Sequence, residues 1–487
     1  MQTQLFIGGK FVDAADGRTI DVLDPHDGSL LAQVAEAGAE DVDRAVAAAT
    51  RAKESWGRMP AAERGRLLLK LADAVEADAD ELSLLETRDT GHPVRDTRGL
   101  DVPRTAATFR YFGGMADKFQ GTVVPVEAGF LDYVVNEPLG VVGQIVPWNF
   151  PLMFTSWKMG PALAAGNVVV LKPSDLTPMS SLRIAELCAQ VGFPDGVVNV
   201  LPGYGTTAGQ RIVDHPGIAK VSFTGSTNVG RGVARGAADT LKHVHLELGG
   251  KGANIVFEDA NIAAAVGGTA FGIFHNQGQA CIAASRLIIH ESVVDEFLAR
   301  FLDLARSIKV GDPKDPSTEM GPLTSVLHRD RVLSYIEVAA SEGGQILTGG
   351  KAPSDPALAA GCYVEPTVVS TSHTSRVALE EVFGPFMTVH TFATDEEALE
   401  IANTVDYGLG GGLWTNNLSR AHRTARDLRA GMVWINSYKR VNPGSPFGGT
   451  GQSGYGREMG FEAMREYTEP KAIWVNIDAQ LPPFYAR

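Results

Sequence analysis

Between residues 140 and 250, five short runs of apolar, β-forming residues recur with helix-length segments between them: GVVGQIVP (140–147), NVVVLKP (167–173), GVVNVLP (196–202), KVSFTG (220–225) and HVHLELGG (243–250). Runs that are apolar at nearly every position, rather than at alternate ones, suit strands buried on both faces, as in parallel sheets covered by helices. The spacing predicts an α/β fold with a doubly wound parallel sheet of the nucleotide-binding kind. A second α/β region is expected from about Lys251, with strand-like GANIVFED, RLIIH and GMVWINS and the helical ESVVDEFLARFLDLARSI.

Ahead of this core, Val42, Val46, Leu67, Leu71, Val75, Leu82 and Leu85 recur at mostly helical intervals, and Gly91 and Pro93 supply a stop. GTVVPVEAGFLDYVVNEP then alternates β-formers around Glu127-Ala128-Gly129 and predicts a hairpin. The terminal IWVNID is expected to be a strand that completes a sheet, within the subunit or between subunits.

Charge and cysteine content narrow the functional classes. With 43 basic against 57 acidic side chains the net charge is −14, and no basic block is present to track a phosphate backbone, so nucleic acid is not an expected partner. The three cysteines, Cys188, Cys281 and Cys362, are too widely spaced for a metal knuckle or redox pair, which fits a reducing cytoplasm. The N-terminus lacks a basic segment followed by an apolar core, and no run approaches the roughly 20 apolar residues of a membrane span. A soluble, untargeted, cytoplasmic protein is expected.

Several residues carry chemistry, each with a plainer structural alternative. Cys281, in FHNQGQACIAASR, stands before small residues that can open a helix, whose N-terminal dipole would lower the thiol pKa and supply a nucleophile; the alternative is an inert buried cysteine. Glu247 ends a strand, facing the crevice where parallel sheets bind ligands, and burial would raise its pKa toward that of a general base; the alternative is an ion pair with Lys251. Asn149, in PWNFP, can donate its amide to an oxyanion or simply form a turn. Gly225 and Ser226 lead a strand into a helical pattern, which can present backbone amides to a pyrophosphate or be an unliganded turn. After NVVVL, Lys172 can reach ribose hydroxyls or phosphate and Asp175 can accept from adenosine-ribose hydroxyls. A negative charge there disfavours a 2′-phosphate, which argues for NAD over NADP.

Taken together and in order, PWNFP (147–151), KPSD (172–175), FTGS (223–226), LELGGK (246–251), GQACIAASR (278–286), EVFGP (381–385) and SPFGG (445–449) resemble motifs of the NAD(P)-dependent aldehyde dehydrogenase superfamily, over essentially the whole chain. The resemblance implies an NAD-binding domain (1–118 and 139–250), a catalytic domain (251–452) and oligomerisation elements (119–138 and 466–487) of a homodimer or homotetramer. It implies Cys281 as nucleophile, Glu247 as general base and Asn149 as oxyanion donor, with Pro147, Trp148, Lys172, Ser174, Asp175, Gly225, Ser226, Leu248, Gly249, Glu381 and Phe383 on the cofactor. The aldehyde would add to Cys281, lose hydride to NAD, with NADP a weaker alternative, and leave as an acid after hydrolysis of a thioester. Glu247 favours hydrolysis over transfer of the acyl group to coenzyme A.

On the same resemblance Phe150, Met153, Phe154, Trp157, Ile282 and Phe447 would line a substrate tunnel suited to a medium-chain or aromatic aldehyde, unless they simply fill core. Lys439 and Arg440, in NSYKRVNPG, would either pair with a semialdehyde carboxylate or form a solvated loop pair, the latter being the plainer expectation. Two other classes compete. His243, His245 and Glu247 alternate on a strand and would share a face as a metal site, and a non-catalytic NAD-binding protein can occupy the same fold.

Overall fold

The protein is described by a computed structural model covering residues 2–478. Two sheets carry the architecture. In the first, of eight strands, the central five are Val198–Val200, Val168–Lys172, Val141–Ile145, Lys220–Thr224 and His243–Glu247, side by side in that order and all parallel. They are the five expected runs. Every residue of Val141–Ile145, Val168–Lys172 and Lys220–Thr224 is buried, which is why the runs are apolar without alternation. In chain order the strands lie third, second, first, fourth, fifth, so the winding reverses between Val141–Ile145 and Lys220–Thr224. Such a reversal opens a crevice at the carboxyl ends of the flanking strands.

The sheet is extended by strands that no local pattern announced. Leu5–Ile7 pairs antiparallel with Val198–Val200, and Gly454–Tyr455 pairs antiparallel with His243–Glu247. The helices Ala39–Arg58, Ala61–Ala77 and Ala79–Thr90 account for the expected helical region. The last of them stops at Gly91, whose φ of 80° is left-handed and open to glycine at little cost.

The second sheet has seven strands in the order Gln345–Thr348, Thr367–Ser370, Phe386–Phe392, Arg286–His290, Ala253–Val256, Gly410–Trp414 and Met432–Ile435. Only its outermost pair, Gln345–Thr348 with Thr367–Ser370, is antiparallel. A third, small sheet joins the expected hairpin, Thr122–Val124 and Phe130–Pro138, to Thr468–Asn476 in a register running from Thr468 opposite Pro138 to Asn476 opposite Phe130. The terminal strand therefore completes a sheet of its own chain. The expected element 466–487 continues past residue 478, and residues 479–487 lie outside those described. Among the described residues no helix is long and apolar enough to cross a membrane.

Candidate active site

The loops that follow the two strands at the winding reversal line one cavity. Pro147, Trp148 and Asn149 come from the loop after Val141–Ile145, and Gly225 and Ser226 from the loop after Lys220–Thr224. Leu248 and Gly249, after His243–Glu247, form the floor, while Glu381 and Phe383 reach across from the second α/β region. Ser226 caps the helix Thr227–Ala238, its Oγ accepting from the Val229 amide at 3.4 Å. Glu381 accepts from the Gly250 amide at 2.7 Å, and burial pushes its carboxyl up to about 7. The Gly249 backbone lies against the Glu381 carboxylate, where a Cβ would meet its Oε2. Phe383 holds a left-handed φ of 63°, and its carbonyl is 2.7 Å from His328 Nε2. A crevice lined by a helix N-terminus at Ser226 and by the Glu381 carboxylate suits a dinucleotide. Buried Thr224, whose Oγ1 has no partner, adds a further polar group to its wall.

Lys172, Ser174 and Asp175 sit at the carboxyl end of the adjacent strand, outside the lining of that cavity. Lys172 Nζ donates to the Pro173 and Gly203 carbonyls at 2.6 and 2.9 Å, leaving one ammonium hydrogen, and burial holds it down at about 8. Asp175 is partly exposed and its charge supports that of Lys172.

Cys281 and Asn149 converge on the same cavity although distant in the chain. The expectation that Cys281 opens a helix is not met. The residues following His275–Gly278 turn at Cys281 and Ile282 and run on into the strand Arg286–His290, so Cys281 starts no helix of its own. Burial, with the Glu247 and Glu381 carboxylates nearby, instead pushes the thiol up. The loop before it is unusually bent. Asn276, Gln277 and Gly278 all have left-handed φ, at 53°, 55° and 71°, and a Cβ on Gly278 would lie far inside contact with the Gly384 carbonyl. Strain of this kind persists only where the surroundings enforce it. Asn276 Nδ2 donates to the Asn149 carbonyl at 2.7 Å, and Asn149 Nδ2 donates to the Gln279 carbonyl at 2.9 Å, so the two loops lock each other. One hydrogen of the Asn149 amide is left for a ligand.

Glu247 is buried at its strand end, but it does not line the cavity with Cys281. The expected alternative partner, Lys251, is elsewhere, donating to the Val377 carbonyl at 2.7 Å. Glu247 Oε1 lies 3.0 Å from His245 Nε2, and Oε2 has no partner. Burial and the Glu458 carboxylate push Glu247 well above the ordinary carboxyl range. Burial and the ammonium groups of Lys158 and Lys220 hold His245 neutral, well below the ordinary imidazole value. Lys158 Nζ donates to Glu458 Oε1 at 2.5 Å and to Ser222 Oγ at 3.0 Å behind this pair. The i, i+2 spacing placed His245 on the same strand face as Glu247, expected there as a metal ligand; in the structure it is instead the hydrogen-bond partner of Glu247.

A second cavity opens on the other side of Cys281. Phe150, Met153, Phe154, Trp157, Ile282 and Phe447 all line it, as expected, and Lys439 does too. Lys439 overturns the solvated-pair reading: it is 4% exposed, in a left-handed turn (φ 54°), with Nζ at 3.5 Å from the His275 carbonyl, and burial holds it down at about 7. Arg440, the next residue, is exposed and lies outside this cavity. Arg104, which sequence reading missed, takes the second cationic place in the lining. Among the described residues only Cys281 and Phe154 border both cavities.

The expected trio of His243, His245 and Glu247 does not assemble. His243 is exposed and pairs with Glu469 at 2.7 Å, while His245 is committed to Glu247. His243 is the first residue of the strand and lies at the surface, while His245, two residues on, is in the core.

Comparison with known proteins matches residues 11–473 to the model of the aldehyde dehydrogenase family. The NADP/NAD-dependent aldehyde dehydrogenase PuuC of Escherichia coli is 44% identical, over 98% of this chain and 97% of that protein. The mitochondrial aldehyde dehydrogenase of Leishmania tarentolae is 45% identical, over 97% and 95%. Crystal structures of PnpE from Pseudomonas sp. WBC-3, one of them in complex with nicotinamide adenine dinucleotide, superpose with a TM-score of 0.99 at 66% identity over the whole of both chains.

Proposed function

Because this chain belongs to the aldehyde dehydrogenase family and is an NAD-dependent oxidoreductase of aldehydes, we propose that it forms the acid on Cys281, with Asn149 holding the oxyanion and Glu247 preparing the hydrolytic water. The observation that carries this reading is the position of Cys281 at the junction of two cavities, one built for a dinucleotide and one walled by apolar side chains. Its sulfur attacks the aldehyde carbon from there, and the carbonyl electron pair moves to oxygen. The free amide hydrogen of Asn149 stabilises that oxyanion where the charge develops. Bound NAD supplies the hydride acceptor as the thiohemiacetal becomes a thioester. The Glu247 carboxylate then leaves His245, takes a proton from water, and the resulting hydroxide displaces the Cys281 thiolate. NAD is preferred to NADP, since Asp175 places negative charge where a 2′-phosphate would lie. The chain's three free cysteines suit a reducing cytoplasm.

The substrate is proposed to carry a carboxylate at its far end, as a semialdehyde does. Burying an ammonium is costly unless something meets it, and Lys439 has only a carbonyl at 3.5 Å, with Arg104 beside it in the same cavity. The aromatic walls of Phe150, Trp157 and Phe447 also favour a medium-chain or aromatic aldehyde, the second reading. A matched pair of aldehydes, one neutral and one carboxylated, separates them. Lys439→Met is expected to raise KM for the carboxylated one by about 10- to 100-fold, the worth of a charge-assisted hydrogen bond, and to leave the neutral one nearly unchanged. Equal changes for both would remove the semialdehyde reading.

A further inference from the structure

At the Phe150 side of the substrate cavity, where His275 joins the lining, a polar cluster stands that the reaction does not use. His92 follows the glycine that ends helix Ala79–Thr90, Asp96 lies one turn later, and His275 starts the bent loop that leads to Cys281. His92 is 1% exposed and His275 9% exposed. Their rings meet edge to face, with centroids 5.1 Å apart. Each ring's Nε2 is buried without any hydrogen-bond partner, an unfavourable state for two imidazoles so close together. His92 Nε2 stands 3.8 Å from Asp96 Oδ2, and one ligand atom from each of His92, Asp96 and His275 lies within 4.8 Å of the others. The opposite ring nitrogen of His92, Nδ1, lies 2.7 Å from Oδ2 of fully buried Asp101. A carboxylate on the far nitrogen fixes the tautomer so that the Nε2 lone pair faces the cluster, which is the arrangement found around metal-bound histidines.

We propose that His92, Asp96 and His275 bind a divalent transition ion of the zinc class, with Asp101 as the outer carboxylate. Two imidazoles and one carboxylate are a donor set for such an ion, with water left to complete its coordination. Asp96 and Asp101 offset the positive charge of Arg95, which lies 3.5 Å from Asp96, and of Arg104 and Lys439 nearby. The ion would tie the turn after Ala79–Thr90 to the loop that carries Cys281 and brace the wall of the substrate cavity between them.

The test uses tag-free, chelator-stripped protein carrying Cys281→Ser, so that no reactive thiolate competes, titrated with Co2+ and followed by its visible ligand-field bands. One tightly bound ion per chain is expected. Affinity should fall by about 10- to 100-fold in Asp101→Asn, the usual effect of losing an outer-shell partner, and binding should vanish in the His92→Asn, His275→Gln double variant. Absence of binding, or an affinity unchanged in the double variant, overturns the proposal. Should that variant fail to fold by circular dichroism, X-ray absorption on the Zn2+-loaded Cys281→Ser protein decides. Two imidazoles with oxygen neighbours support the site, and a sulfur shell or oxygens alone refute it.

Discussion

At Cys281 the sulfur must be a thiolate to attack, yet burial beside Glu247 and Glu381 holds it protonated near neutrality. The same residue is the one half-exposed cysteine of the three, since Cys188 and Cys362 are buried. Iodoacetamide is therefore expected to label Cys281 first, at a rate that climbs about tenfold per pH unit through the neutral and mildly alkaline range. Peptide mapping that shows a flat pH profile would contradict a raised thiol. Glu247 works in the same direction: its carboxyl is raised, and only the deprotonated form can take a proton from water, so turnover should increase with pH until Glu247 is ionised. In Glu247→Gln the acyl-enzyme should accumulate as added mass after a burst of NADH, with steady turnover lower by roughly 10²- to 10⁴-fold. A variant that turns over normally, with no added mass, would place the base elsewhere.

The helix Ala79–Thr90 shows how an element far from the sulfur supports the site. Glu86 on that helix is fully buried, and its Oε1 accepts from the Leu152 amide at 3.2 Å, in the first turn of the Pro151–Ala164 helix that carries Phe154 and Trp157. Burial, followed by the Asp101 charge, pushes Glu86 from 4.5 to about 8. A carboxyl raised on folding binds more protons when native, so its contribution is complete below about pH 4.5 and is lost as pH rises to about 8. Glu86→Gln keeps the acceptor without the titration. Chemical denaturation at several pH values should show the variant gaining on the wild type between pH 5 and 8, by up to about 1.4 kcal/mol per unit. Parallel curves would mean that Glu86 is ionised in the native state. None of this was visible beforehand, because a glutamate in a helical pattern reads as solvated until its neighbours are known. The five strands were legible because burial on both faces leaves an unbroken apolar run, whereas Leu5–Ile7 and Gly454–Tyr455 owe their places in the sheet to partners about 200 residues away along the chain. Asn149 and Cys281, each carried by a motif, both line the first cavity. Arg104 and His245 carry no motif, and the inward turn of Lys439 depends on a left-handed φ that its flanking sequence does not dictate.

On the scale of the whole molecule, the two large sheets close over the cavities, but the small third sheet is left uncovered. Its strand Thr468–Asn476 is exposed along nearly its whole length and lies at an edge, with Trp474 55% and Val475 38% exposed, followed by Ile477 at 63%. Val123 and Leu131 on the neighbouring strands are exposed as well. An exposed apolar edge strand invites pairing with other chains unless something covers it, and no segment among the described residues does so. A second copy of the chain, joined through this sheet into a dimer or tetramer, would bury those side chains and the free strand edge together. Trp474→Glu combined with Val475→Lys is expected to lower the mass measured by light scattering to that of one chain of 51.8 kDa, while NAD binding survives because neither residue lies near the crevice. A wild-type protein already at that mass, or a variant that keeps the assembled mass, would move the contact away from this sheet.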